Sequence, residues 1–157
     1  MGYSTEFEGR IDLNKELTDE LFNFLMKFAE TRRMKRDPKK LKEMGFEGDY
    51  GIEGELFVDG GGFAGQDHDD SIIDYNNPPK TQPGLWCQWI PTDDRKGLEW
   101  DGGEKFYCAD EWMDYLIRRI LAPAGFVANG LIQAQGEFED DVWELAVSNN
   151  KVTVNYL

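Results

Sequence analysis

Alternation of apolar and polar residues is the first pattern in this chain. Across residues 3–13, the odd positions are apolar, small or hydroxylic, and the even positions are polar or charged. A period of two predicts a strand with one face buried and the other in water. The chain is therefore expected to open with a half-buried strand.

The same alternation occurs twice near the C-terminus, on both sides of Asn149-Asn150. Two asparagines tolerate the positive φ angles of a two-residue turn, so this segment predicts a β-hairpin. The alternation requires each pair of partners to lie on one face. The expected pairs are Val147 with Val152, Leu145 with Val154, and Trp143 with Tyr156.

Helical spacing replaces the alternation in two other stretches. Apolar residues recur every three or four positions over residues 21–28, and Thr18 stands where an N-cap is expected. We expect the last turn of this helix at Arg32 and Arg33, and one further turn over residues 39–44, after Asp37-Pro38. A second apolar stripe predicts a helix over residues 108–122, closed by Pro123.

The remaining segments complete an α+β pattern. Further strands are expected at residues 50–58, 85–90, 97–101 and 126–135, whereas residues 63–83 predict a long loop without regular structure. Strands joined mostly by hairpins favour an antiparallel sheet. The sequence thus predicts a single α+β domain over residues 1–157, with a predominantly antiparallel sheet of about six or seven strands and two helices packed on one face.

Charge narrows the classes of function. The 157 residues carry a formal charge of −14, which disfavours nucleic acid and anionic membranes and favours a partner with a basic surface. No segment has the roughly 20 apolar residues of a membrane span. Two cysteines are too few for a disulfide framework, so a reducing cytoplasm is expected. Cys87 lies between two tryptophans and is expected in the core.

One segment has the opposite charge. Eight basic and two acidic residues lie between Lys27 and Lys42, a local balance of +6. Such a basic arm can contact a partner protein or the acidic body of another copy. The candidate partner-binding residues are Arg32, Arg33, Lys35 and Arg36.

Two ligand sites are also conceivable near the long loop. Carboxylate oxygens suit divalent cations, and the candidate metal ligands are Asp67, His68, Asp69 and Asp70. Aromatic rings can form a stacking platform for a small ligand, and the candidates are Tyr75, Trp86, Trp89 and Trp100. The alternative hypothesis is accordingly a small-ligand or metal-binding domain, with hydrolysis as one of its activities, whose site lies under residues 60–83.

Residues 74–79, residues 82–89 and the segment from Leu121 to Gly130 resemble short proteins of unassigned function from bacteria and their phages. The resemblance attaches to no named family and implies no catalytic residue. The leading hypothesis is therefore a non-enzymatic acidic binding or regulatory protein. It would act on a protein partner through surface electrostatics, as an inhibitor or a nucleic-acid mimic.

Overall fold

The computed structural model describes residues 2–46, 48–58 and 69–157. Internal contacts divide the chain into two compact units: unit 1 is Met1–Asn23 with Gln88–Leu157, and unit 2 is Phe24–Cys87. The helices and strands, in chain order, are β1 (Glu6–Leu13), α1 (Asp19–Glu30), β2 (Lys35–Arg36), α2 (Pro38–Glu43), β3 (Ile72–Asp74), β4 (Trp89–Pro91), β5 (Gly97–Trp100), α3 (Ala109–Leu116), β6 (Ala128–Gln135), β7 (Val142–Ser148) and β8 (Lys151–Tyr156).

Unit 1 is built on a six-stranded antiparallel sheet with the order β4-β5-β1-β6-β7-β8. A separate two-stranded sheet, β2-β3, lies in unit 2. These sheets and the accompanying helices confirm the predicted α+β class and its antiparallel sheet. That the whole chain folds as one domain stays a prediction.

The first strand, β1, is central to the sheet of unit 1. It pairs with β6 along all eight of its residues, from Glu6 opposite Gln135 to Leu13 opposite Ala128. Its alternation is the one expected from the sequence, because Phe7, Ile11 and Leu13 are buried. The N-terminal strand therefore supplies one row of the core.

An aromatic cluster fills one end of this core. The ring of Phe7 makes edge contacts with Trp89, Trp100, Phe106 and Trp143 at centroid distances of 5.2 to 5.8 Å. Edge-to-face pairs are favoured by the ring quadrupoles and add about 1 kcal/mol each beyond area burial. A single β1 side chain thus connects strands β4, β5 and β7.

The C-terminal hairpin has the predicted register. Val147 lies opposite Val152, Leu145 opposite Val154, and Trp143 opposite Tyr156. Asn149 and Asn150 form the turn with φ angles of 47° and 70°, the left-handed conformation that asparagine tolerates. The hairpin prediction is confirmed in every pair.

The two predicted helices are present with shifted ends. The Thr18 hydroxyl accepts the Leu21 N–H at 3.2 Å, which confirms the N-cap of α1. The helix nevertheless ends at Glu30, so the predicted last turn at Arg32 and Arg33 is wrong. Helix α3 begins at Ala109 and continues as a π-helix over Ile117–Leu121. Pro123 follows this π-helix and offers no backbone N–H to extend it.

Two arginine side chains, Arg33 and Arg36, are buried among the apolar side chains in the interior of unit 2. The buried Arg33 guanidinium donates to the carbonyl oxygens of Thr31, Glu55 and Phe57. Its planar group also lies over the Phe28 ring, at 4.2 Å from the centroid. One cation thus supplies donors to three separate backbone carbonyls, of which the Glu55 carbonyl also accepts from the Gln82 side-chain amide at 2.7 Å.

Two sequence predictions fail in this unit. Residues 50–58 form no strand; Ile52–Gly54 is a 3-10 turn, and positive φ angles at Gly51, Glu53 and Gly54 prevent an extended backbone. The loop predicted at residues 63–83 contains strand β3, which pairs with β2. Residues 59–68 lie outside the described part of the chain.

The predicted strand over residues 85–90 is also misplaced, and the observed strand β4 pairs with β5 in an antiparallel hairpin. Strand β4 begins at Trp89 and ends at Pro91, one residue beyond the predicted range. Proline lacks a backbone N–H and is tolerated in edge strands. Because β4 is the first strand in the sheet order, Pro91 fits there.

Glycine 9 has a conformation and a position that a side chain would disturb. Its φ is 112°, and a Cβ added there would lie 2.7 Å from the Leu131 carbonyl oxygen. We predict that Gly9→Ala lowers the free energy of unfolding by about 2–4 kcal/mol, through left-handed strain and displaced backbone.

Gly102→Ala is the matched control for this prediction. Gly102 also has a positive φ, of 85°, but no atom lies within 4 Å of its added Cβ. This variant should carry the conformational strain alone, about 1 kcal/mol. Urea denaturation followed by circular dichroism measures both variants, and equal losses would contradict the proposed contact with Leu131.

Candidate functional site

Strands β1 and β5 separate after a short contact. They pair at Ile11 with Leu98 and at Asp12 with Gly97. Beyond Leu98, β5 follows β4 instead: Trp100 lies opposite Trp89, and the Asp101 N–H donates to the Gln88 carbonyl at 3.0 Å. The first half of β1 is therefore paired with β6 but not with β5.

A cavity of about 390 Å³ lies at this separation, within unit 1. Its volume is within the range of small-ligand sites. Four strands contribute to its lining: β1, β5, β6 and β7. The lining residues are Glu6, Phe7, Glu8, Trp100, Gln133, Ala134, Gln135 and Val142.

The sheet register arranges the polar lining in two cross-strand pairs. Glu6 lies opposite Gln135, and Glu8 lies opposite Gln133. Side chains at directly opposed positions have their Cβ atoms about 5 Å apart on one face of the sheet. All four side chains are exposed. The two carboxylates and two carboxamides therefore form one polar surface, which we call the acceptor floor (Glu6, Glu8, Gln133 and Gln135).

The orientation of one carboxamide is fixed by its neighbours. The Gln135 Nε2 atom donates to the carbonyl oxygens of Gly136, Phe138 and Asp141, at 3.1, 3.0 and 3.4 Å. Only the nitrogen side of the amide can face three carbonyls. The Gln135 Oε1 atom does not take part in these three bonds, and Gln135 lines the cavity together with the carboxylates of the floor.

No cation neutralises the floor carboxylates among the residues that the structure describes. The nearest basic residue along β1, Arg10, is bound elsewhere, to Asp12 at 2.8 Å and to Asp94 at 3.1 Å. Hydrogen bonds from Thr92, the Lys96 backbone and Arg10 hold the pKa of Asp94 well below its usual range. The Arg10 guanidinium therefore binds the carboxylates of Asp12 and Asp94 and not those of Glu6 and Glu8.

Two of the four predicted platform aromatics lie in unit 1. Trp100 is half-buried and lines the cavity, with its Nε1 atom 3.4 Å from the Gln88 Oε1. Trp89 is 1% exposed and donates to the Ala109 carbonyl at 2.8 Å, so it is a core residue. The structure thus brings one predicted ligand-binding residue, Trp100, to the cavity wall.

The other two predicted aromatics belong to unit 2. Tyr75 and Trp86 are both half-buried. The guanidinium of Arg32 covers the Tyr75 ring at 4.1 Å from its centroid and donates to the Tyr75 carbonyl. This face of the Tyr75 ring is occupied by the chain itself. Cys87, expected in the core, is fully buried.

The predicted metal ligands are only partly described. Asp67 and His68 lie outside the described residues, and Asp70 is exposed. Asp69 accepts hydrogen bonds from Arg36 and Ser71, at Oδ2 and Oδ1 respectively. In the described ranges, no three His, Cys, Asp or Glu side chains are grouped to hold a metal ion.

The hydrogen bonds at Asp69 determine its ionisation. Burial by itself raises the pKa of this carboxyl, but the hydrogen bonds from Ser71 and Arg36 outweigh burial, and the pKa lies below the usual value. Arg36 is 1% exposed and also lies over the Phe57 ring. Asp69 therefore stabilises unit 2 as the carboxylate partner of a buried cation.

The predicted basic arm divides into buried and accessible members. Arg33 and Arg36 are buried and hydrogen-bonded within unit 2. Arg32 and Lys35 are half-buried, and Lys35 lies 3.5 Å from Glu53. The exposed lysines of α2 are Lys39, Lys40 and Lys42. A partner would therefore meet α2 rather than Arg33 or Arg36.

The alternation across residues 3–13 already placed Glu6 and Glu8 on a solvated face. Their importance was missed because it depends on strand order, which alternation does not specify. Only the pairing of β1 with β6, and its separation from β5, brings these acids to Gln133, Gln135 and Trp100. The sequence signal available was the matching alternation of residues 128–135.

Comparisons with family models, curated proteins and solved structures gave no match to this chain. In the described ranges, no helix combines the length and apolarity that crossing a bilayer would require. The candidate site is therefore defined by its own geometry.

The depressed pKa of Asp69 predicts a pH-dependent contribution to stability. A carboxyl whose pKa is lowered on folding stabilises the protein above its unfolded pKa, and this contribution is lost as the pH falls through the folded value. Asp69→Asn should lower the free energy of unfolding by about 2 kcal/mol at pH 7, because it removes an acceptor of charge-assisted bonds. This difference from wild type should shrink below about pH 4.

Asp70→Asn provides the control, since it makes the same charge change at an exposed neighbour. Urea denaturation at pH 7, 5, 4 and 3 measures how far the free energy of unfolding of each variant differs from that of the wild type. A wild-type advantage over Asp69→Asn that stays constant down to pH 3 would exclude Asp69 as the titrating group.

Cys108 is predicted to be a poor nucleophile despite its exposure. Burial of the sulfur raises its pKa to about 11, and a hydrogen bond to Glu111 adds to this effect. Because the thiolate reacts, alkylation by iodoacetamide at pH 8 should be about 100-fold slower than for an ordinary cysteine. Glu111→Gln should accelerate it. Peptide mapping by mass spectrometry measures the rates, and a rate equal to that of free cysteine would contradict the raised pKa.

Proposed function

We propose that this protein is an acidic binding protein that takes a cationic segment of a protein partner into the cavity between β1 and β5. The observation that carries the proposal is the combination of the acceptor floor with the Trp100 indole in a cavity of about 390 Å³. Carboxylates attract a cation, and an indole face adds cation–π attraction. The chemistry of the lining is thus that of a site for positive charge.

The charge of the whole molecule supports the same partner class. A net charge of −14 attracts basic surfaces over the distance of the Debye length and speeds their association. The same charge repels nucleic acid and anionic lipid. The proposed partner is therefore a protein with a basic surface, and the complex should weaken as the ionic strength rises.

By covering the basic segment of its partner, this protein would regulate that partner. A protein that covers cationic residues used elsewhere for phosphate contacts acts as an inhibitor of those contacts. The two free cysteines fit a reducing compartment, so we place this activity in the cytoplasm. No covalent chemistry is required of the site in this proposal.

The test uses a defined basic probe, a ten-residue peptide alternating glycine with lysine or arginine. We predict that Glu6→Gln/Glu8→Gln weakens binding of this peptide about tenfold at 50 mM salt, because each lost contact between exposed opposite charges is worth up to about 1 kcal/mol at low ionic strength. Fluorescence anisotropy of the labelled peptide measures the affinity. The glutamate counterpart of the peptide should not bind.

Glu16→Gln/Glu20→Gln is the matched control. Both residues are exposed, belong to unit 1 and do not line the cavity, so the net charge changes equally. The affinity of this control variant for the peptide should fall less than about threefold, because it loses only the long-range attraction that depends on net charge. If both double variants lost the same affinity, the cavity would be rejected as the binding site. The binding would then be explained by the net charge of the protein alone.

A further inference from the structure

We infer that the group recognised in the cavity is an arginine side chain carried on an extended peptide segment. This inference rests on the proposed function and names the residue that the partner presents. It follows from three features of unit 1: the acceptors of the floor, the indole of Trp100, and the free strand edge of β1 at Phe7.

The lining matches a guanidinium in both shape and hydrogen bonding. A guanidinium is planar, stacks on aromatic faces, and directs five N–H donors outward in its plane. The cavity supplies an indole ring, whose face attracts a cation, and two carboxylates, which accept hydrogen bonds; the Gln135 side chain adds a carboxamide oxygen as a further acceptor. A lysine ammonium, with three donors on one atom, satisfies fewer separated acceptors.

The chain already binds its own arginines in this manner. In unit 1, the Arg95 guanidinium lies 4.4 Å from the centroid of the Phe22 ring and donates to the Asp19 carboxylate. An aromatic ring and a carboxylate therefore form an arginine site elsewhere in the same unit. The cavity lining contains the same two kinds of group, a ring at Trp100 and carboxylates at Glu6 and Glu8.

The strand edge beside the cavity favours a peptide over free arginine. The Leu13 N–H donates to the Lys96 carbonyl, so the backbone of Leu13 faces the β5 side of β1. Backbone direction alternates along a strand, and the register with β6 continues without a shift to Glu6. Phe7 therefore directs its N–H and C=O to the β5 side, where pairing with β5 ended at Ile11.

An extended segment can use this edge by strand addition. Two main-chain hydrogen bonds to Phe7 would hold the segment beside β1, and an adjacent side chain would then lie over the face that carries Glu6 and Glu8. The cavity lining includes Phe7 together with these acids. Main-chain pairing supplies affinity, and the floor selects the side chain.

The experiment compares four probes on the full-length protein at 50 mM salt. They are the capped pentapeptides Gly-Gly-Arg-Gly-Gly, Gly-Gly-Lys-Gly-Gly and Gly-Gly-citrulline-Gly-Gly, and free arginine. Affinities come from NMR titration of ¹⁵N-labelled protein, read at the Trp100 indole N–H and the side-chain amides of Gln133 and Gln135. The arginine peptide should bind at least about tenfold more tightly than each of the other three.

Glu8→Gln should weaken the arginine peptide and leave the lysine peptide changed by less, whereas Glu16→Gln should affect neither. Both are exposed-site substitutions that leave the fold intact, which the unchanged backbone spectrum would verify. Equal affinity for the arginine and lysine peptides, with both sensitive to Glu8→Gln, would overturn the inference but keep the proposed function. If free arginine bound as tightly as the arginine peptide, the inference that the arginine is presented by a peptide segment would be overturned. Insensitivity of every probe to Glu8→Gln would overturn both.

Discussion

The unequal pairing of β1 with its two neighbours is the constraint on which the sheet and its cavity depend. Eight residue pairs join β1 to β6, and two pairs join it to β5. The long pairing fixes which β1 side chains enter the core, because a shift of one residue would exchange the two faces. Because β5 pairs with β1 at only two positions and then pairs with β4, the first half of β1 has an edge without a β5 partner, and the cavity lies beside it.

The same strand therefore serves structure on one face and recognition on the other. Phe7 packs in the core against Trp89, Phe106 and Trp143 and also contacts Trp100 at the cavity wall, while its sequence neighbours Glu6 and Glu8 belong to the acceptor floor. Packing of Phe7 holds the backbone to which both acids are attached. A rigid strand positions charged side chains more accurately than a loop does, which reduces the entropy lost when a partner binds.

The two units satisfy their interiors by different means. Unit 1 buries aromatic and aliphatic side chains against a sheet whose backbone bonds are made between strands. In its described part, unit 2 has only short strands beside its helices, and one side chain supplies donors to three backbone carbonyls. Arg33 provides them for Thr31, Glu55 and Phe57. Burial of an arginine is tolerated there because its donors are bound and its plane is covered by Phe28.

This difference explains how far the sequence alone could predict the structure. The C-terminal hairpin was predictable in full, because alternation and the turn residues Asn149 and Asn150 are local signals. The segment at residues 50–58 alternates too, yet glycines with positive φ and the Arg33 contacts override the pattern. The candidate site was predictable only as Trp100, because strand order and the separation of β5 arise from non-local pairing.

Unit 2 also depends on two arginines that are almost completely buried. Lysine could not replace Arg33, since one ammonium cannot reach three carbonyls that a guanidinium spans. Among diverging relatives, the arginines at 33 and 36 should thus persist because folding requires them. The exposed residues at 6, 8 and 133 are not required for folding in this way and can change with the partner. Positions that vary among relatives would then identify the recognition surface, and invariant positions would identify the residues that folding requires.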